Sequence, residues 1–254
     1  MYPEASYSFD GTATPLPESL GKLVKKLGIP VVMIKTFGAF SHDPLYNNLQ
    51  KRKVKISAEM KYLLSPEEIA SKPFEEINQI LKMEFTFDNF RWQQENGVKI
   101  RENFRADCLN RVLYKCPNCL AEGETEGKGI TLTCKNCGKV YVLSEEGFME
   151  AIDGETEYPH IPDWYSWQRE CVKKEILSGE YKIERDVDIY MLIDTKCLYK
   201  VGDGVLTHTK EGFTLVGCDN QLNYSQAPEL SYSLYSDFYW YIHIAFFLLT
   251  PMFY

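Results

Sequence analysis

The chain has 254 residues, long enough for one large domain or two ordinary ones, and its 44% hydrophobic and 25% charged content excludes a disordered chain. A formal net charge of −8 argues against non-specific binding to nucleic acid, which needs a basic face. Eight cysteines in a chain this large, with no recognisable signal peptide, do not imply a secreted disulfide framework; four of them fall in C-x-x-C pairs, which points to metal in a reducing compartment.

In chain order, Leu16, Leu20, Leu23, Val24 and Leu27 recur at helical spacing, with Pro17 and Glu18 near the start. Lys25 and Lys26 fall in the last turn and Gly28 follows as a stop. Val31-Val32-Met33-Ile34 then reads as a strand covered on both faces. Lys22, Lys25, Lys26, Lys51, Arg52, Lys53 and Lys55 form a basic cluster, read as a solvated face. Val54, Ile56, Ala58 and Met60 alternate with polar residues as a half-buried strand. Ser65-Pro66-Glu67-Glu68 is a capping box, and a longer helix is predicted from about Pro73 to near Gly97, burying Phe74, Ile77, Ile80 and Leu81.

Cys116-Pro117-Asn118-Cys119 and Cys134-Lys135-Asn136-Cys137-Gly138 are two metal knuckles. A two-residue spacer lets both thiolates of one tight turn reach one ion, and glycine after the second pair permits the turn. Four sulfurs fill a tetrahedral zinc, so Cys116, Cys119, Cys134 and Cys137 are expected to hold Zn2+ structurally rather than catalytically. Between the pairs, residues 121–129 read as a polar loop, while Thr131, Thr133, Val140, Tyr141 and Val142 have strand character, as a zinc ribbon requires. Cys108, Cys171, Cys197 and Cys218 are scattered, consistent with reduced, partly buried thiols.

Past the ribbon, Asp163 is placed to cap a helix carrying Trp164, Trp167 and Cys171 and stopping at Gly179. Residues 181–241 read as short antiparallel strands, with turns at Gly202-Asp203-Gly204, Glu211-Gly212 and Asp219-Asn220. Asp186, Asp188 and Asp194 are expected on a solvent face. Residues 238–254 are almost wholly apolar but too short to span a bilayer, and contain His243 and Pro251. Three readings of 242–254 stand side by side: a frame-shifted tail, a buried final strand, or an interfacial membrane segment. The fold class is α+β, in three parts: a partial α/β domain at 1–110, a zinc ribbon at 111–145, and a small, mostly antiparallel β domain with one helix at 146–254.

One further pattern sits at the start. Tyr2-Pro3-Glu4-Ala5-Ser6-Tyr7-Ser8 is followed by a helix and then by Ile29-Pro30-Val31 entering a strand. This order resembles the third and fourth motifs of the glycerol-phosphate and lysophospholipid acyltransferase family, including members that carry a four-cysteine ribbon behind the acyltransferase domain. The resemblance implies that Tyr2, Pro3, Glu4 and Ser8 belong to the third motif and Ile29, Pro30 and Val31 to the fourth. Glu4 would order the site for the glycerol-phosphate acceptor and Pro30 would shape the acceptor pocket. Tyr7 stands where the family carries a phosphate-binding arginine and Ala5 where it carries glycine, which leaves Lys35 or the basic cluster to take the phosphate.

The family's general base is the histidine of a His-x4-Asp motif. None of the four histidines here has aspartate five residues on: His42 is followed by Asn47, His160 by Tyr165, His208 by Phe213 and His243 by Leu248. The chain therefore reads as the C-terminal portion of such an enzyme of phospholipid biosynthesis, truncated and inactive alone, so no catalytic residue is assigned. The resemblance implies an acyl donor (acyl-CoA or acyl carrier protein), a lysophospholipid acceptor, and a cytoplasmic location with peripheral contact at the inner face of the membrane. An α/β part without its upstream strands is expected to expose apolar surface and to be marginally stable. The alternative is a non-catalytic zinc-ribbon interaction module, with Tyr232, Tyr235, Phe238 and Trp240 as candidate contacts. Nucleic-acid binding by the ribbon is disfavoured by Glu122, Glu124 and Glu126 in its loop.

Overall fold

A computed structural model describes residues 1, 3–4, 8–192, 197–228, 236–237 and 246–247. It is a mixed α+β structure whose sheets are all antiparallel, and it divides into two compact units, Met1–Gln168 and Arg169–Tyr254.

In the first unit, α1 (Leu20–Leu27) buries Leu20 and Val24 and ends as expected, with Gly28 at φ 60° returning its N–H to the Val24 carbonyl. Gly21 is required for a different reason. A Cβ there would lie 2.4 Å from the Phe74 carbonyl oxygen, so only glycine lets α1 approach α4. Strand β1 (Val31–Phe37) pairs antiparallel with β2 (Ser57–Leu64). Helices α3 (Pro66–Ser71) and α4 (Phe74–Phe85) complete this layer, with Leu20, Val24, Leu64, Ile69, Ile77 and Leu81 as its core. The capping box is present in full: Ser65 Oγ accepts from the Glu68 amide at 3.2 Å, and Glu68 Oε2 accepts from the Ser65 amide at 2.8 Å.

Several expectations for this region are corrected. Strand β1 is not covered on both faces. Val31, Met33, Lys35 and Phe37 are half-buried, whereas Val32 and Ile34 are exposed, beside Tyr62 and Met60, their partners on β2. A run of consecutive apolar residues fits a doubly covered strand, but coverage depends on a second layer that the run itself does not encode. Likewise Ala58 and Met60 are exposed rather than half-buried, so this outer face is apolar and open. The single helix to Gly97 is two, α4 and α5 (Asn89–Glu95). Asp88 interrupts it by accepting the Arg91 amide at 2.9 Å as an N-cap.

The ribbon sheet follows, in the order β3 (Thr125–Lys128), β4 (Thr131–Cys134), β5 (Val140–Leu143) and β6 (Met149–Ala151). The polar loop expected at 121–129 thus contains a strand, because Thr125, Glu126, Gly127 and Lys128 pair with 131–134 across a hairpin whose Gly129 has φ 67°. One core cluster joins Tyr46, Phe90, Leu109 and Leu113 to ribbon residues Leu132, Tyr141, Leu143 and Met149 and to Trp164. Tyr141 and Trp164 meet edge to face with ring centroids 4.9 Å apart, both fully buried.

Helix α6 (Ile161–Ser178) begins two residues before Asp163, which lies in its first turn. In the second unit, β7 (Lys182–Leu192), β8 (Leu198–Thr209), β9 (Gly212–Gly217) and β10 (Leu222–Gln226) form one sheet in the order β10-β9-β8-β7. The turns at Glu211 and at Asp219-Asn220 are present, but Gly202-Asp203-Gly204 lies inside β8. There glycine serves close packing: Ile189 reaches over Gly204 and Gly217, and a Cβ on either would fall within 3 Å of its Cδ1. Asp186 and Asp188 are exposed as expected; Asp194, Tyr232, Tyr235, Phe238 and Trp240 lie outside the described residues, as does most of 242–254. Ser236–Asp237 pairs antiparallel with Phe246–Phe247. Among the described residues, no helix is long and apolar enough to cross a membrane.

Candidate metal centre

The two knuckles bring Cys116, Cys119, Cys134 and Cys137 together with all four sulfurs within 4.8 Å of one another. The sulfurs of Cys116 and Cys137 are 3.8 Å apart, and those of Cys119 and Cys134 are 3.7 Å apart. Tetrahedral Zn–S bonds of about 2.3 Å put sulfurs about 3.8 Å apart, so the cluster has the spacing of such a site. The first knuckle closes through the Leu120 amide to the Cys116 carbonyl, the second through the Gly138 amide to the Cys134 carbonyl. Gly138 has φ 74°, and Leu120, at the same place in the first knuckle, has φ 64°. The left-handed residue after each C-x-x-C is therefore set by the knuckle, with or without glycine.

Burial pushes the Cys116 thiol up to about 12 and raises that of Cys134. The Asn136 side-chain hydrogen bond, followed by the Ala121 amide, pulls Cys119 down to about 6. Asn118 Nδ2 donates to Cys137 Sγ at 3.5 Å and Asn136 Nδ2 donates to Cys119 Sγ at 3.4 Å, each across to the other knuckle. These asparagines occupy the same position in both C-x-x-C spacers, a repeat visible in the sequence whose role emerges only from the crossed geometry. With an ion bound, they would soften the negative charge of the four thiolates around it.

The site is anchored from beneath. Gln168, fully buried, accepts the Lys115 amide at 2.9 Å and donates to the Val112 carbonyl at 2.8 Å, and Trp164 Nε1 donates to the Lys115 carbonyl at 2.9 Å. Lys115 Nζ lies 2.9 Å from Glu122 across the first knuckle. Tyr141 on β5 donates to Glu157 at 2.8 Å, and Lys139, just before that strand, pairs with the same carboxylate at 2.6 Å. Burial tends to raise the Glu157 carboxyl, but these two partners hold it below its ordinary value.

Of the acceptor-site residues, Pro3 and Glu4 form a turn and Glu4 Oε1 accepts the Thr14 amide at 2.9 Å. Ser8 Oγ donates to Asp10 at 3.4 Å, and Pro30 is exposed just before β1. Tyr2, Ala5, Ser6 and Tyr7 lie outside the described residues. Lys35 Nζ sits over the Phe87 ring, 4.8 Å from its centroid. The basic cluster is not one solvated face: its lysines are exposed, but Arg52 is buried. Among the scattered thiols, Cys108, Cys171 and Cys218 are partly buried and Cys197 is exposed, where partial burial was expected.

Comparison with known proteins finds no matching family model, no matching curated protein and no matching solved structure. Fold and site together define a mixed α+β chain with a four-cysteine cluster consistent with a zinc ribbon.

Proposed function

We propose that this chain is the acceptor-side portion of a phospholipid-biosynthesis acyltransferase, with a structural Zn2+ held by Cys116, Cys119, Cys134 and Cys137. The general base belongs to a His-x4-Asp motif that these 254 residues do not contain. The observation that carries the reading is the order of a Pro3-Glu4 turn, helix α1, and Ile29-Pro30-Val31 leading into β1. The Glu4 hydrogen bond to Thr14 supports an ordering role for that carboxylate. Zinc here would neutralise and join two knuckles; with four sulfurs around it no position remains for substrate. On this reading the acyl donor is acyl-CoA or acyl carrier protein, the acceptor is a lysophospholipid or glycerol phosphate, and the protein works in the cytoplasm at the inner face of the membrane.

An acyl-transfer assay with acyl-CoA or acyl carrier protein and lysophosphatidic acid tests it. The chain alone should give no turnover. Turnover that is lost with Glu4→Gln but survives replacement of His42, His160, His208 and His243 would refute the assignment of the base to a missing motif. A second reading, a zinc-ribbon module that binds a partner and catalyses nothing, is favoured by the open apolar face of Val32, Ile34, Met60 and Tyr62. The nucleotide sequence upstream of Met1 separates them: an in-frame His-x4-Asp supports the first, an unrelated sequence the second.

A further inference from the structure

The four sulfurs of the metal centre are not equally sheltered. Cys116 and Cys134, the first cysteine of each knuckle, are 0% and 1% exposed, whereas Cys119 is half-buried and Cys137 is exposed. Their hydrogen bonds divide in the same way. Cys116 takes the backbone amides of Asn118 and Cys119, and Cys134 those of Asn136 and Cys137, so each inner sulfur is held by its own knuckle. The outer sulfurs are reached from the opposite knuckle, Cys137 by the Asn118 carboxamide and Cys119 by that of Asn136. Cys119 also takes the Ala121 amide.

The turns themselves do not call for asparagine. Leu120 and Gly138 take the left-handed backbone conformation of the two knuckles, and Asn118 and Asn136 do not. Nor does a core hold the two side chains in place, because both residues are exposed. What the shared spacer position supplies is a donor over the sulfur of the other knuckle.

We propose that Asn118 and Asn136 are positioning residues for the metal, each tying the solvent-facing sulfur of one knuckle to the other knuckle. Neither knuckle can then turn its outer sulfur off the ion without breaking a hydrogen bond to its partner. Such a bond becomes charge-assisted once the sulfur is a metal-bound thiolate. Donors of this kind, one layer out from the ligands, typically account for about 10–100-fold in metal affinity. The proposal rests on the reading of the four cysteines as a metal site and is independent of the acyltransferase reading.

Two measurements on the full chain test it together: Zn2+ affinity by competition with a chromophoric chelator, and the absorption spectrum of the Co2+-loaded protein. The wild type should show the thiolate-to-metal charge-transfer bands of a tetrahedral four-sulfur site; without them the metal reading falls, and this inference with it. Asn118→Ala and Asn136→Ala should each weaken Zn2+ binding about tenfold or more. Each should also move the charge-transfer bands to lower energy, because a sulfur that loses its donor gives up an electron more readily. Asn118→Asp and Asn136→Asp keep the shape but set a carboxylate against the thiolate, and should weaken binding further than alanine does. Near-UV circular dichroism of the metal-loaded variants checks that the core is intact, and should one variant fail to fold, its counterpart in the other knuckle carries the test. Wild-type affinity in either folded alanine variant, or weakened affinity with unmoved charge-transfer bands, would overturn the proposal while leaving the metal site standing.

Discussion

Chelating the metal should release the two knuckles while leaving the rest of the first unit folded. Residues 117–124 and 135–139 have no buried side chain of their own; in the knuckles only Cys116 and Cys134 are buried. Ordering about a dozen residues costs on the order of 10 kcal/mol at about 1 kcal/mol of backbone entropy each. Little apolar burial offsets that cost, whereas a structural zinc supplies roughly 10 kcal/mol in isolated fingers. Tyr141, Leu143 and Met149, by contrast, belong to a core shared with Tyr46, Phe90 and Trp164. Each such side chain contributes about 2 kcal/mol by burial, independent of metal. Hydrogen exchange followed by mass spectrometry, with and without a strong chelator, reads the difference. Amides of 116–123 and 134–139 should lose protection and those of 140–151 should keep it. Loss of protection across both segments would refute the shared core as the sheet's support, and unchanged protection everywhere would refute a metal contribution.

Leu120→Gly should stabilise the zinc-loaded chain by about 0.5–1 kcal/mol in urea denaturation, because Leu120 is exposed and held at φ 64°. Trp164→Ala should cost about 3–5 kcal/mol, from the cavity and from the lost hydrogen bond to the Lys115 carbonyl, read as a lower urea midpoint. Asp88 gives a pH dependence: burial works to raise its carboxyl, but hydrogen bonds from His160 at 2.7 Å and from the Arg91 amide outweigh it and hold the pKa below its ordinary value. A depressed carboxyl stabilises the fold above its unfolded pKa, and that stabilisation fades as pH falls from about 4 through the lower native value. Urea midpoints from pH 6 down to 3 should therefore fall less steeply for Asp88→Asn than for the wild type; equal slopes would show that this pair does not couple to stability.

The local features were legible because they depend on neighbours in sequence. Ser65 through Glu68 spell their capping box, Gly28 its αL stop, and the C-x-x-C spacers their knuckles, since each closes within a few residues. The antiparallel character of residues 182–226 was likewise readable from alternation and turns, although Gly202 and Gly204 lie inside a strand, where Gly202 packs against Cys218 and Gly204 under Ile189, rather than at a break. What the tertiary structure alone decided is which side chains lose water. Sequence assigns Arg52 to a solvated basic cluster; the fold buries it against Tyr46 and Asn47, opposite an arginine 53 residues away. Sequence covers both faces of β1; the fold leaves Ile34 and Met60 open. Sequence gives no reason to join Asp88 to His160, 72 residues apart. Burial and long-range pairing are properties of the packed layers, and a residue's own neighbours in the chain carry no record of which layer lies opposite.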